Sequence, residues 1–274
     1  MKLSELYRRY SAVFRENGFD SPETEAAYLL SDAAGVPHTL VPFSSIVPDE
    51  DLLILADSRL KRRLAGEPYQ YIAGWAAFRE LRLSVGPGCL IPRPETELLV
   101  DRILDVLPRA GRFCEWGTGS GAIALSVAFE RPDADVSASE LSPDAFAWAE
   151  KNRADLRLDR VRLKPGDLGA PFEGERFDVI AANLPYISPD EKKSLPVNVR
   201  DWEPPEALFA DRNGLALLDR AIRESPRYLK SGGTLLLEMG ETQGARLLEL
   251  AKDWKHAEIA KDQYGADRFF IGTV

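Results

Sequence analysis

Cysteine and histidine are scarce in this chain of 274 residues, at two each. Cys89 and Cys114 are too few for a disulfide framework or a zinc cluster. Cys114 lies in the apolar run Phe113-Cys114-Glu115-Trp116, which predicts a buried free thiol. His38 and His256 stand far apart without metal-ligand spacing, so no metal is expected. Positive charge is also short: 35 basic residues against 44 acidic ones leave a net charge of −9. That argues against a protein held mainly by nucleic-acid phosphates, which needs a large basic footprint. No apolar run approaches the roughly 18 residues of a membrane span. The start, Met1-Lys2-Leu3-Ser4-Glu5, lacks an apolar signal region. A cytoplasmic protein, away from membranes and without stable nucleic-acid binding, is the expectation.

What is present is an ordinary globular composition, 45% apolar and 29% charged, with no internal repeat. Residues 1–83 read as a small helical bundle. Leu3, Leu6, Tyr7, Tyr10 and Phe14 recur at helical spacing. Ser21-Pro22-Glu23-Thr24-Glu25 reads as a capped helix start, with a stop near Gly35. Pro48-Asp49-Glu50-Asp51 opens another helix, ended by Gly66. The cluster Arg59, Lys61, Arg62 and Arg63 reads either as a solvated helix face or as a docking point for an RNA- or ribosome-associated partner. Residues 84–94 read as a connector that forms part of a β-hairpin, with Leu81–Val85 as one strand.

Residues 95–274 alternate strand and helix. Strands are expected at 112–116, 135–140, 161–164, 177–182, 234–238 and 268–272. Helices are expected at 122–130, 143–154, 214–229 and 242–252. The pattern predicts an α/β domain with a mostly parallel, Rossmann-like sheet, whose ligands sit beyond the carboxyl ends of the strands.

The loops after the strands carry the chemistry. Glu115-Trp116-Gly117-Thr118-Gly119-Ser120-Gly121 alternates glycines between a strand and a helix, which lets the backbone approach a ligand closely. Glu140 ends the next strand, where a carboxylate can accept two hydrogen bonds from a ribose diol. Gly117, Gly119 and Ala122 also fit a looser dinucleotide pattern, so the NAD reading stands at this point. The run Phe177–Ala182 then leads into Asn183-Leu184-Pro185-Tyr186. The Asn183 side-chain carbonyl and the Leu184 backbone carbonyl can hold an NH2 group flat, and Tyr186 can pack on a planar group.

The glycine loop, the ribose acid and the Asn-x-Pro-Tyr tetrapeptide together resemble class I S-adenosylmethionine-dependent methyltransferases that modify a planar nitrogen. Ile91-Pro92-Arg93-Pro94-Glu95-Thr96-Glu97 resembles the signature of the HemK/PrmC family, the glutamine methyltransferases of class 1 peptide chain release factors. Leu141-Ser142-Pro143-Asp144-Ala145 and Glu203-Pro204-Pro205-Glu206 add to it, so that the likeness runs from about residue 26 to the end. The resemblance implies S-adenosylmethionine as cofactor, held by Glu115, Gly117, Thr118, Gly119, Ser120, Gly121, Glu140, Asp167, Leu168 and Asn183. It implies Asn183, Leu184, Pro185 and Tyr186 as the catalytic group, a class 1 release factor as partner, and an N-terminal domain that docks it. A monomer is expected. The alternatives are a ribosomal-protein glutamine methyltransferase and an RNA or DNA adenine N6-methyltransferase. Trp116, Leu184 and Leu168 depart from the family's commoner residues at their positions.

Overall fold

The computed structural model describes residues Met1–Val274. The chain divides into two compact units. Met1–Gly74 joins with Val197–Trp202, and Trp75–Pro196 joins with Glu203–Val274.

The first unit is helical. Helices α1 (Leu3–Glu16), α2 (Pro22–Ala34), α3 (Glu50–Leu64) and the short α4 (Tyr69–Ala73) follow one another. The apolar spacing expected for α1 is realised: Leu3, Leu6, Tyr10 and Phe14 are buried against Ala26, Leu29, Leu30, Ala56 and Leu60. Asp49 caps α3 by accepting from the Leu52 amide at 2.9 Å. Ser21, expected to cap α2, makes no such bond; Pro22 and the acids Glu23 and Glu25 begin that helix, and Gly35 ends it in the left-handed region. The basic cluster is not a free patch. Arg59 pairs with Asp32, Arg62 with Glu67 and Arg63 with Glu25. Three of its four charges are therefore neutralised, two of them by partners distant in sequence.

The expected boundary at residue 83 moves to Gly74. The hairpin strands β1 (Trp75–Phe78) and β2 (Leu81–Ser84) bury Phe78, Leu81 and Leu83 in the core of the second unit, so burial assigns them there. The second correction is the return of Val197–Trp202 to the first unit. Val197 and Trp202 lie within 3.5 Å of where a Cβ on Gly66 would stand.

The second unit holds α5 (Pro94–Val106), β3 (Arg112–Trp116), α6 (Ala122–Glu130), β4 (Asp135–Glu140), α7 (Pro143–Asp155), β5 (Arg162–Pro165), β6 (Phe177–Ala182), α8 (Ala216–Glu224), β7 (Leu229–Glu238), α9 (Gly244–Leu250), β8 (His256–Lys261) and β9 (Asp267–Thr273). The sheet order is β5-β4-β3-β6-β7-β9-β8. Strands β5 to β7 pair in parallel, while β9 is antiparallel to both β7 and β8. This is the expected mostly parallel, Rossmann-like sheet. Helix 214–229 is shorter than expected because Pro226 enters a 3-10 turn at Ser225–Arg227. Strand β8 was not expected at all.

Side-chain alternation splits the core in two. Phe113, Val179 and Ala181 enter one cluster; Cys114, Trp116, Ile180 and Ala182 enter the other. Both faces of the central strands are thus buried, as helices on each side of a parallel sheet require. The strand order reverses between β3 and β6. Their carboxyl ends open a crevice at that switch point, where ligands of such sheets bind.

Candidate active site

A cavity of about 340 Å³ lies at this switch point. The loop after β3 forms its floor. The amides of Gly117 and Thr118 both donate to the Ser139 carbonyl at the neighbouring strand's end, at 2.9 and 3.0 Å. Buried Glu115 holds the loop from below: its Oε2 accepts from the Thr118 hydroxyl and from the Ala124 amide. Gly119 has φ +58° and open space where a Cβ would stand. Glu140 then clasps the loop, accepting from the Gly119 amide on Oε2 and from the Ser142 amide on Oε1, both at 2.8 Å. Each carboxylate oxygen retains a further lone pair for a ligand hydroxyl.

Burial lifts the Glu115 carboxyl to a pKa of about 8, against the opposing hydrogen bonds from Thr118 and Ala124. The folded protein then holds a proton that the unfolded chain releases near 4.5. This group's contribution is fully present below 4.5 and is lost as pH rises to about 8. Unfolding free energies at the two ends of that window should differ in this direction, and Glu115→Gln should shrink the difference.

The opposite wall is the segment after β6. Asn183, Leu184 and Pro185 line the cavity, together with Thr96 and Arg93. The Asn183 Nδ2 donates to Thr96 Oγ1 at 3.0 Å. Thr96 donates to Glu238 Oε2 at 2.7 Å, and the Tyr186 hydroxyl donates to Glu238 Oε1 at 3.1 Å. Glu238 is buried, which raises its pKa; Thr96, Tyr186 and the Arg268 guanidinium oppose that rise. Arg93 pairs with buried Glu203, whose other oxygen accepts from the Ile91 amide at 3.1 Å.

Gly214 holds the tetrapeptide in place. Its φ is +79°, and a Cβ there would stand 1.9 Å from the Tyr186 carbonyl oxygen. Gly214→Ala should cost at least about 2 kcal/mol, through backbone strain and displacement of that carbonyl. A thermal melt indistinguishable from that of the parent protein would contradict this.

Most expected site residues line one cavity: Glu115, Gly117, Thr118, Gly119, Ser120, Glu140, Asp167, Leu168, Asn183, Leu184 and Pro185. Two do not. Gly121 instead allows close packing, since its Cβ would stand 2.7 Å from Leu125 and 3.7 Å from Ala149 of α7. Tyr186 packs on the β6–β7 core and is tied to Glu238 rather than facing the cavity. Asp167 faces the cavity with its carboxylate already shared with Arg220 at 2.9 Å. Leu168 has φ +44°, and its carbonyl accepts from the Ser139 hydroxyl at 2.6 Å. Thr96, Glu203 and Glu238 were missed as site residues. Only the buried acid closing the apolar run Leu235-Leu236-Leu237 could have signalled one of them.

The residues fit S-adenosylmethionine better than a dinucleotide. Glu140 and Glu206 bring negative charge to the cavity, Asp167 shares its charge with Arg220, and the one basic side chain, Arg93, is neutralised by Glu203. Such a lining suits a ligand carrying a sulfonium and an ammonium and opposes a pyrophosphate. Glu140 would hold the ribose diol, and the open backbone at Gly119 allows close approach.

Comparisons agree with this geometry. Residues 5–74 match the family model described as PrmC N-terminal domain, and residues 108–266 match a methyltransferase domain. The release factor glutamine methyltransferase of Salmonella typhimurium is 38% identical over 268 residues, covering 96% of each chain. That of Neisseria gonorrhoeae is 42% identical over 231 residues, covering 82% of this chain and 83% of its own. A solved methyltransferase from Pyrococcus furiosus is 19% identical, with a TM-score of 0.54 over 79% of this chain and 96% of its own; it shows likeness of fold alone. The second unit's sheet, its acid-lined cavity and these relatives agree: the chain is an S-adenosylmethionine-dependent methyltransferase and belongs to the release factor glutamine methyltransferase family.

Proposed function

We propose that this chain methylates the side-chain amide nitrogen of the glutamine in the Gly-Gly-Gln motif of class 1 peptide chain release factors. The observation that carries this reading is Asn183 at the carboxyl end of β6, lining the cavity with its Nδ2 engaged on Thr96. That engagement leaves the Oδ1 acceptor for a substrate NH2 group. Relatives named release factor glutamine methyltransferase over nearly the full length support the choice of acceptor.

An amide nitrogen is a weak nucleophile because its lone pair is delocalised into the carbonyl. No side chain near Asn183 is a base strong enough to deprotonate it usefully. The site therefore works by positioning and electrostatics. The Asn183 Oδ1 and the Leu184 carbonyl accept the two amide protons and fix the plane of the group. Pro185 stiffens the turn that presents them. Glu140 and the glycine loop hold the cofactor, whose sulfonium supplies an electrophilic methyl group. The amide proton passes to water after transfer. The first unit docks the protein substrate, because a single glutamine carries too little surface for specificity.

The test offers methyl-labelled S-adenosylmethionine with a class 1 release factor, ribosomal proteins or RNA in separate reactions. Label in the release factor is expected. Label confined to ribosomal proteins or RNA would overturn the reading.

A further inference from the structure

Asn183 can serve a substrate amide only one way round. Its carbonyl end must face the NH2 group; turned over, it would set NH2 against NH2. The two ends of an asparagine amide are nearly equal in shape, so packing alone does not choose between them. Hydrogen bonding beneath the site does choose.

Three links run away from the cavity. Glu238 ends β7, with both carboxylate oxygens accepting: Oε1 from the Tyr186 hydroxyl and Oε2 from Thr96 at 2.7 Å. A threonine hydroxyl has a single proton. Once that proton points at Glu238, only lone pairs of Thr96 Oγ1 remain for Asn183, 3.0 Å away. A lone pair calls for a donor, so the Asn183 NH2 end turns to Thr96. Thr96 is 4% exposed and Glu238 is 2% exposed, so water does not compete.

We propose that Thr96 and Glu238 are positioning residues that set which end of the Asn183 amide faces the substrate. The substrate side of this assignment rests on the glutamine methyltransferase reading. The orientation of Asn183 itself does not.

Protonated on Oε2, Glu238 donates to Thr96 and reverses the Thr96 and Asn183 links, while Oε1 still accepts from Tyr186. Turnover should therefore fall as pH drops through the lifted Glu238 pKa. The groups facing Glu238 are Thr96 and Glu95 of α5, Tyr186, and Arg268 of β9.

The test uses the full chain. Thr96→Val keeps shape and loses the hydroxyl; Thr96→Ser keeps the hydroxyl and loses a methyl. Thr96→Val and Glu238→Gln are expected to lower kcat on release factor about 10–100-fold with S-adenosylmethionine affinity unchanged. Thr96→Ser is expected to stay within a few-fold, and Glu238→Gln to lose the acid limb. A purely structural role predicts the reverse order, with valine tolerated better than serine, and would overturn the proposal.

A second readout needs no substrate. The Asn183 side-chain NH2 resonance, assigned by its loss in Asn183→Ala, should shift in Thr96→Val and stay in Thr96→Ser. An identical resonance in parent and Thr96→Val would overturn the proposal. Parent protein inactive on release factor but showing this shift would sink the substrate reading and leave the positioning role standing.

Discussion

Asn183→Ala should lower methyl transfer by about 10²–10³ while S-adenosylmethionine binding stays within a few-fold of the parent protein. That rate loss is typical of removing one preorganised polar partner from a reacting group. Here the lost group is the Oδ1 acceptor after β6, while the loop after β3 and its Glu140 clasp remain. With Glu140 and the glycine loop proposed as the cofactor's main anchors, binding and turnover should separate. Isothermal titration for affinity and single-turnover transfer at saturating cofactor read the two effects independently. Affinity falling as far as turnover would show that Asn183 serves the cofactor and not the substrate amide.

Glu140→Ala should do the opposite, weakening cofactor affinity by about 10–100-fold or more. A charged hydrogen bond contributes roughly 1.5–3 kcal/mol, and this carboxylate has two kinds of partner to lose. It clasps Gly119 and Ser142 through its two oxygens, and on the proposed assignment its remaining lone pairs would take a ribose diol. The truncation removes both the diol contact and the restraint on the glycine loop. Glu140→Gln keeps one acceptor and should fall between. A dissociation constant unchanged in Glu140→Ala would remove the ribose assignment outright.

Local chemistry made much of this site legible. The glycine loop, Glu140 and the Asn183 tetrapeptide each sit at a strand end, and the strand-helix alternation alone puts strand ends together. The parallel sheet was equally readable, because doubly buried strands carry apolar runs such as Val179-Ile180-Ala181-Ala182. What escaped reading was tertiary. Thr96 and Glu238 are separated by 142 positions, and only the packing of α5 beside β7 makes them partners. Tyr186 read as a cavity aromatic because its ring suits stacking; the buried acid below it decides otherwise. The boundary at Gly74 depended on where Phe78 and Leu83 are buried, which the turn residues around them do not encode. Strand β8, His-Ala-Glu-Ile-Ala-Lys, is an edge strand whose apolar face is only the half-buried pair Ala257 and Ile259, too short an alternation to stand out. The Arg59–Arg63 cluster showed its charges but not the acids that neutralise them.

The most direct test of the account is transfer of a labelled methyl group from S-adenosylmethionine to a purified class 1 release factor. An otherwise identical factor with the Gly-Gly-Gln glutamine replaced serves as the comparison. The account predicts label in the first and none in the second. Equal label in both would place the methyl group elsewhere and contradict the glutamine amide as the acceptor.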